Sequence, residues 1–486
     1  MNTNCYSEHA FAIANHLAQG AVGHEGHSIG FELEHFIVDA KTGALVPYYT
    51  DPKTGKPGVD EVLERLAEFF DERIYEKRSE PAPEANLQKA NTEPADDQSL
   101  IALNRHKTNI TLEPGAQLEI SIGPAAGLAE IETEYLLFRS QLDPLLAEMG
   151  YEAREYGYHP TACAHEIPLI PKDRYYYMAE HFTQTGKHGI CMMRATAATQ
   201  TSIDYVDEFD AVNKLRIAHA LGPFFAFLTD NSPVFEGSSV GALSQNMQAR
   251  QASHVHLDAP VHQDPQGAQS PQNSQSSLPT PNRMARTACW DDCDPERCLT
   301  PANLFSDDFG FKSYAETLLD APAIFTVDTL ENGEVVAVAQ GFTPFSEALT
   351  STQLDQKTIE HVLSLFFYDA RFKQYVEVRQ ADSMPFAYSL AFTALIKGLF
   401  YNEEALEHYE ECFAYLDVVS IARAKTALRT LGYEATVYQR SATLWLDEII
   451  TFAQQGLPKD EQHYLTPLAE LVAERKTMLD AQGAGA

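Results

Sequence analysis

The sequence predicts an α+β fold, in which an antiparallel sheet with one polar face is followed by a helical C-terminal region. Its strand-like segments alternate polar and apolar residues, whereas the strands of a buried parallel sheet run continuously apolar. Beyond Ser383 the apolar residues take up helical spacing, which continues through Met478. Strands mixed with helices and then followed by helices alone indicate an α+β core with a helical tail.

Acidic residues recur in the strand-like segments with a two-residue period. A strand directs alternate side chains to opposite faces, so Glu32 and Glu34 share one face while Phe31 and Leu33 point into the core. Crowded carboxylates resist burial unless a cation holds them, and such oxygen ligands suit Mg²⁺ or Mn²⁺ together with phosphate. The pattern predicts a metal- and nucleotide-dependent enzyme, and it appears in three segments: 30–34, 113–119 and 377–382.

Each acidic segment also has a plainer interpretation. The pair Glu32 and Glu34 could equally form a solvated strand face, and Glu377 with Arg379 could be a structural ion pair. Three such segments in one chain favour the functional interpretation over three separate coincidences. No G-x-G-x-x-G or Walker-type loop is present, so a nucleotide would bind on the sheet face itself.

Local patterns predict the order of the elements. Helical spacing covers 59–70, 128–149 and 207–228, two strands flank the turn at 113–116, and 192–205 alternates as a strand does. The segment 237–285 is rich in Gln, Ser, Pro, Asn and His, a composition that predicts a mobile surface insertion. The sequence therefore predicts a catalytic domain over 1–400, interrupted by that insertion, and a helical region over 401–486 packed on it.

Composition excludes several classes of partner. The net charge of −34 argues against nucleic acid and anionic membrane surfaces. No apolar run approaches the roughly 20 residues that span a bilayer. The first residues lack the features of a secretion signal. The seven scattered cysteines predict a reduced, cytoplasmic protein.

Cysteine and arginine residues cluster after the insertion. Cys289, Cys293 and Cys298 have spacings that match no common four-ligand zinc pattern. Arginine side chains suit forked contacts with carboxylate or phosphate, although arginines in surface loops are the simpler interpretation. Arg286 and Arg297 flank Trp290 just after the insertion, and a third candidate, Arg194, precedes the strand-like segment 196–204.

An ordered set of motifs resembles the glutamate–cysteine ligase family of plants and many proteobacteria. The resemblance runs from about residue 22 to about residue 400, apart from the insertion. It rests on GFELEHF at 30–36, EPGAQLEIS at 113–121, IPLIPKDRY at 167–175, MMRATAATQTSIDY at 192–205, NSP at 231–233, the spacing of Arg286, Trp290, Asp294 and Arg297, FSDDFGFKSYAETLLDAP at 305–322, and VEVRQAD at 376–382.

The resemblance implies a glutamine synthetase-like core, a curved antiparallel sheet whose concave face holds ATP and divalent metal. The implied reaction joins the γ-carboxylate of glutamate to the amine of cysteine through γ-glutamyl phosphate, the first step of glutathione biosynthesis. ATP is then a co-substrate, Mg²⁺ or Mn²⁺ the cofactor, and the protein a cytoplasmic monomer or homodimer. The implied site residues are the metal ligands Glu32, Glu34, Glu113, Glu119 and Glu377, the catalytic residues Arg379 and Arg297, and the substrate-binding residues Arg194, Gln200, Arg286, Trp290 and Tyr314.

Two positions depart from the pattern of the family, and other functions stay open. Ser202 stands where Asn is usual, and Gln380 stands where Gly is usual, which predicts a tighter backbone beside Arg379. A ligase of the same fold with another amine acceptor is the nearest alternative. A non-catalytic metal-binding protein and a glycoside hydrolase that uses paired carboxylates are further alternatives.

Overall fold

The computed structural model describes residues 3–23, 27–52, 54–77, 98–239, 283–329 and 335–482. The predicted insertion therefore lies mostly outside the described residues, which include only its ends at 237–239 and 283–285. The described strands, in chain order, are β1 (Ile29–Asp39), β2 (Glu72–Lys77), β3 (Gln98–Arg105), β4 (Thr108–Leu112), β5 (Leu118–Ala125), β6 (Tyr151–Arg154), β7 (Ala198–Ile203), β8 (Val234–Phe235), β9 (Ser238–Ser239), β10 (Pro322–Thr329), β11 (Val335–Pro344), β12 (Ala370–Phe372), β13 (Val376–Asp382), β14 (Thr436–Val437) and β15 (Arg440–Ser441).

Helices occupy much of the remaining described chain. They are Thr3–Ala18, Val59–Leu66, Leu128–Met149, Asp173–Thr185, Gly189–Ala195, Glu208–Leu228, Ala285–Asp291, Pro295–Cys298, Phe311–Asp320, Phe345–Ala348, Gln356–Ser364, Phe386–Phe400, Glu403–Phe413, Val418–Leu431, Ala442–Gly456, Thr466–Ala473 and Met478–Gln482.

The protein is built around a large sheet in which the order of the strands differs from their order in the chain. Its strands run in the order β12-β13-β7-β1-β5-β4-β3-β2, and β6 pairs with the end of β1. Every pairing in this sheet is antiparallel. The predicted combination of helices with an antiparallel sheet is therefore confirmed. Strands that are distant in the sequence, such as β1, β7 and β13, lie side by side at its centre.

One side of the central strands packs against helices. Phe31 and Leu33 of β1 are fully buried, as their alternation predicts. The ring of Phe31 contacts Tyr135 at a centroid distance of 6.3 Å and Phe386 at 6.0 Å. Tyr135 and Phe386 belong to helices Leu128–Met149 and Phe386–Phe400, which cover this side. The carboxylates of β1 therefore belong to the opposite side.

Several predicted elements have nearly the predicted bounds. The helix predicted over 128–149 spans Leu128–Met149 and ends at Gly150, whose φ of 76° is the left-handed conformation that glycine tolerates. The helix predicted from residue 207 begins at Glu208, because the Asp207 side chain caps it by accepting a hydrogen bond from the Asp210 N–H. The strands predicted on either side of the 113–116 turn are β4 and β5.

The prediction of a single strand over 192–205 is wrong at its start. The chain forms helix Gly189–Ala195 first, and only Ala198–Ile203 is strand. Every residue of that helix is buried, so it shows no polar face by which periodicity could distinguish helix from strand. The Thr196 hydroxyl ends the helix by donating to the carbonyl oxygen of Met192 at 2.6 Å.

The described residues beyond Ser383 form helices joined by turns and loops, with the short strands β14 and β15 before helix Ala442–Gly456. Helix Val418–Leu431 packs on helix Glu208–Leu228, and helix Ala442–Gly456 packs on helix Phe386–Phe400. The division into domains at residue 400 stays a prediction. In the part of the chain that the structure describes, no helix combines the length and the apolar character needed to cross a membrane.

Candidate active site

Strand register places several predicted site residues side by side. On β1, Glu32 lies opposite Gln200 of β7 and Ser121 of β5, and Glu34 lies opposite Glu119 of β5. Residues that are directly opposite in adjacent strands project from the same side of a sheet. Glu32, Glu34, Glu119 and Gln200 therefore share the side of β1 that faces away from the covering helices.

A chain of polar contacts crosses three strands. The amide nitrogen Nε2 of Gln200 donates to Oε1 of Glu34 at 3.0 Å. The amide oxygen of Gln200 accepts from Nη1 of Arg379, which also donates to Oε2 of Glu377 at 2.6 Å. Glu34 accepts a further hydrogen bond from the Ala198 N–H at 2.9 Å. The first acidic segment is thus connected to the third through Gln200.

Three of the carboxyl groups are held where ionisation is unfavourable. Burial, followed by repulsion from Glu119 and Glu377, raises the pKa of Glu32 to about 8. Burial and the neighbouring Glu113 raise the pKa of Glu119 to about 7. Burial, with Glu113 and Glu119 beside it, raises the pKa of Glu34 well above its usual value. A bound cation would relieve this repulsion.

Glu377 is in the opposite electrostatic situation. It is fully buried and ion-paired with Nε of Arg371 at 2.5 Å, Nζ of Lys373 at 2.7 Å and Nη1 of Arg379 at 2.6 Å. Burial opposes its ionisation, but the three cations outweigh burial and hold the pKa of Glu377 well below its usual range. Its negative charge is therefore compensated by protein side chains alone.

Arg371 and Lys373 are not among the predicted site residues. Both lie in the segment ARFKQYVEVR, where basic residues alternate with apolar ones just as the acidic residues do elsewhere. In the β12–β13 hairpin Arg371 lies opposite Glu377. The two-residue alternation of residues 371 and 373 is the signal that could have identified them.

A β-bulge orients Arg379. Val378 of β13 lies opposite Thr201 and Ala381 lies opposite Thr199, so two residues of β13 face the one residue between them on β7. The Arg379 N–H donates instead to the carbonyl oxygen of Asp369 at 2.9 Å. The extra residue, Gln380, is buried and donates from its side-chain amide to the carbonyl of Ala218 at 3.2 Å.

The Glu113 turn is fixed by a glutamine. The Ala116 N–H donates to the Glu113 carbonyl at 2.9 Å, while the Gln117 side chain accepts from the Gly115 N–H at 2.8 Å. Gln117 also donates to the carbonyl of Thr196 at 2.7 Å, so it ties the turn to the start of β7. Gln117 thus acts on the backbone, and the carboxylates of this segment are those of Glu113 and Glu119, of which Glu119 accepts a hydrogen bond from the Thr111 hydroxyl at 2.7 Å.

Arg286 and Trp290 line a small cavity beside Arg379. The Arg286 guanidinium donates to the carbonyls of Arg379 at 3.2 Å and Gln380 at 3.3 Å. It also lies 5.5 Å from the centroid of the Trp290 ring. The residues lining the cavity are Arg286, Thr287, Trp290, Phe367, Tyr368, Asp369, Arg379 and Gln380.

Three other predicted residues have contacts outside the carboxylate strands. Arg194 is buried and donates to the carbonyl of Ile167 at 2.9 Å. Arg297 is fully buried, donates to the carbonyl of Leu365 at 2.8 Å and lies 4.8 Å from the Phe366 ring centroid. Tyr314 packs against Phe372 of β12 at 5.0 Å. Their roles in the site stay predictions.

The donor set fits a hard divalent cation. Glu32, Glu34, Glu113 and Glu119 offer only oxygen atoms, and the raised pKa values of Glu32, Glu34 and Glu119 reflect missing positive charge. Within the described ranges, however, no three His, Cys, Asp or Glu side chains are grouped closely enough to hold a metal ion. Metal binding by these carboxylates therefore stays a prediction.

Comparisons with known proteins agree on one family. The family described as glutamate-cysteine ligase family 2 matches residues 28–482. The chloroplastic glutamate–cysteine ligase of Brassica juncea is 28% identical over 465 residues, which are 94% of this chain and 77% of that protein. The chloroplastic enzyme of Nicotiana tabacum is 26% identical over 473 residues, covering 95% of this chain and 76% of its own length.

A solved structure has a similar fold. The crystal structure of glutamate–cysteine ligase from Francisella tularensis in complex with AMP matches with a TM-score of 0.52 and 11% sequence identity. The match covers 94% of this chain and 84% of that one. At this level of identity the likeness concerns the fold.

Proposed function

The chain belongs to glutamate-cysteine ligase family 2, and from that premise we propose that it joins L-glutamate to L-cysteine at the expense of ATP. The product is γ-glutamylcysteine, which makes this reaction the first step of glutathione biosynthesis. The observation that carries the proposal is the chain of contacts from Glu34 through Gln200 and Arg379 to Glu377. It joins crowded carboxylates to a guanidinium on neighbouring strands, an arrangement suited to metal-bound phosphate.

The side of the sheet that carries these residues is proposed as a glutamine synthetase-like, polar, concave active-site face. Glu32, Glu34, Glu113 and Glu119 would hold Mg²⁺ or Mn²⁺ there. Glu377 is proposed as a further ligand, which would exchange one of its ion pairs with Arg371, Lys373 or Arg379 for the cation. A bound divalent cation neutralises phosphate oxygens and spreads the charge that develops in phosphoryl transfer. The AMP bound by the Francisella tularensis protein supports a nucleotide site on this fold.

Arg379 is proposed as the catalytic guanidinium. Its Nη1 atom is held between Glu377 and Gln200, so the side chain has little freedom to leave the sheet face. A positioned guanidinium stabilises the charge on a transferring phosphoryl group. The γ-carboxylate of glutamate attacks the γ-phosphorus of ATP, and ADP leaves. The amine of cysteine then displaces phosphate from γ-glutamyl phosphate and loses a proton.

The amino-acid substrate is proposed to bind at Arg286 and Trp290, where the cavity of about 10 Å³ has room for one water molecule and must widen to admit the substrate. Arg286 is buried, and burial lowers its pKa, so an incoming carboxylate would supply a counter-charge that favours binding. Gln200 is proposed to contact substrate beside the metal ligands. Arg194, Arg297 and Tyr314 complete the proposed site as substrate-binding or catalytic residues.

The proposed compartment is the cytoplasm, on the basis of the scattered cysteines. All seven cysteines are free thiols in the structure. The proposed assembly is a monomer or a homodimer with small-molecule substrates.

Phosphate release from Mg²⁺-ATP tests this function. We expect release that requires both L-glutamate and L-cysteine, with γ-glutamylcysteine identified by mass spectrometry. Glutamate-dependent release that is indifferent to cysteine would move the function to another amine acceptor. Absence of release under all conditions would contradict the proposal.

A further inference from the structure

A buried lysine from the C-terminal helices reaches both walls of the Arg286–Trp290 cavity. Lys425 lies in helix Val418–Leu431. Its Nζ atom is 2.8 Å from Oδ1 of Asp291 and 2.7 Å from Oδ2 of Asp369. Burial disfavours its charge, but the two carboxylates outweigh burial and raise the pKa of Lys425 above its usual value.

The two carboxylates belong to the two walls that hold the proposed substrate contacts. Asp291 ends helix Ala285–Asp291, the helix that carries Arg286 and Trp290. The backbone carbonyl of Asp369 accepts the hydrogen bond from the N–H of Arg379. Lys425 therefore connects the helix of the proposed substrate pocket to the strand of the proposed catalytic guanidinium.

We propose that Lys425 is a positioning residue that fixes the distance between these two walls. The proposal rests on the proposed ligase function. Lys425 does not line the cavity, and its two short contacts are with carboxylates, so it acts through them. The helical region beyond residue 400 thereby contributes directly to the geometry of the site.

The charges near Asp291 and Asp369 determine which of the two carboxylates moves when Lys425 is removed. Arg429 is buried one helical turn after Lys425, and the Asp291 carboxylate partly offsets the lowering of the Arg429 pKa by burial. Asp291 thus retains a cation nearby when Lys425 is removed. Asp369, which is only partly exposed, loses its ion pair with Lys425, and the Arg286 guanidinium is then the cation that acts on it, so the carboxylate should shift toward Arg286. The expected displacement is therefore at Asp369 and, through its carbonyl, at Arg379.

The test compares Lys425→Met with wild type under ligase assay conditions. We expect the KM for glutamate to rise about tenfold and kcat to fall about tenfold. The reason is that the helix with Arg286 and Trp290 moves away from the guanidinium of Arg379. The KM for ATP should change less than about twofold, because the carboxylates of β1 and β5 are not held by the contacts of Lys425 with Asp291 and Asp369. Lys425→Arg retains a cation that can fork between two carboxylates and should recover most of the activity.

A matched control separates positioning from stability. Lys397 is half-buried and pairs with Glu461 at 2.6 Å, and neither residue is among those that line the cavity. Lys397→Met should lower the melting temperature without the rise in the KM for glutamate. If Lys425→Met fails to fold, Asp369→Asn removes the same ion pair isosterically and should give the same kinetic pattern.

The outcomes distinguish this inference from the proposed function. A folded Lys425→Met or Asp369→Asn protein with a KM for glutamate and a kcat within twofold of an active wild type would overturn the inference alone. The same kinetic pattern in Lys397→Met would also overturn it, because the effect would then follow general stability. A wild type that forms no γ-glutamylcysteine would overturn the proposed function.

Discussion

Nε2 of Gln200 donates a hydrogen bond to Oε1 of Glu34 at 3.0 Å, while its amide oxygen accepts one from Arg379. The carboxylate can only accept and the guanidinium can only donate, so the orientation of the amide is determined by its neighbours. Gln200 thus keeps a carboxylate and a guanidinium on neighbouring strands at a set separation without pairing them directly.

Gln200→Met should reduce kcat/KM by about 10- to 100-fold, the effect of losing hydrogen bonds to charged groups. Steady-state kinetics with all three substrates measures this loss. Gln340→Met is a matched control, because it removes an amide that bonds Thr326 in the β10–β11 hairpin. A folded Gln200→Met protein within threefold of wild type would contradict the assignment.

Glu34→Gln should lower turnover by more than about a thousandfold, because it removes a proposed metal ligand. The melting temperature of the metal-free protein should change by no more than about 2 °C. The reason is that burial already raises the pKa of Glu34, so a neutral side chain suits the site without metal. Calorimetric titration with Mn²⁺ should show weakened binding.

The control for Glu34→Gln is Glu72→Gln, which alters an exposed carboxylate of the same sheet. It should leave both turnover and Mn²⁺ binding unchanged. A fully active and properly folded Glu34→Gln protein would remove Glu34 from the proposed ligand set.

Replacing residues 240–282 with a Gly/Ser linker of about ten residues should preserve activity within about tenfold, or roughly 1.4 kcal/mol of barrier. The described chain that follows this segment has its own anchor. Oδ2 of Asp230, a fully buried residue, accepts from the Met284 N–H at 2.7 Å and so holds the chain two residues before Arg286. Steady-state kinetics of the linker variant measures the effect.

Asp230→Asn is the contrasting variant for the linker, because Asp230 also accepts from the Ser232 N–H and one of these bonds is lost. It should reduce activity more than the linker does. A larger loss from the linker would indicate a functional role for 240–282.

Stability should decrease in acid through His219. Burial lowers the pKa of His219 to about 4, while Nε2 donates to the Ala370 carbonyl at 2.9 Å. A group whose pKa is lower in the folded state stabilises above its unfolded pKa, and this stability is lost as pH falls toward the folded value. Between pH 7 and pH 5 the loss should be about 2 kcal/mol of unfolding free energy.

Urea unfolding of wild type and His219→Gln at both pH values isolates this contribution, because other groups titrate alike in the two proteins. The glutamine variant should lose less stability in acid than wild type. Parallel pH dependence in the two proteins would contradict a neutral, buried His219.

Alternation and helical spacing predicted much of the local structure. Glu32 and Glu34 do share the side opposite Phe31, and Leu128–Met149 is one helix, because one buried face dictates each pattern. Helix Gly189–Ala195 was not predicted because all its residues are buried, so its sequence has no alternation of polar and apolar residues that would indicate a helix. Register between strands distant in sequence, such as Glu377 opposite Ser202, is set by long-range packing and cannot be obtained from local periodicity.

The candidate site shows the same limit. The resemblance identified Glu377 and Arg379, but the compensation of Glu377 by Arg371 and Lys373 depends on the β12–β13 hairpin register. The bridge by Lys425 joins residues 134 and 56 positions away, so only the folded chain reveals it.

The most direct test of the central claim uses L-glutamate labelled with ¹⁸O in the γ-carboxylate, together with Mg²⁺-ATP and L-cysteine. We predict γ-glutamylcysteine that has lost one labelled oxygen and inorganic phosphate that has gained it, because the γ-carboxylate attacks phosphorus before the amine displaces phosphate. Unlabelled phosphate, or labelled phosphate without γ-glutamylcysteine, would contradict ligation of glutamate to cysteine through γ-glutamyl phosphate.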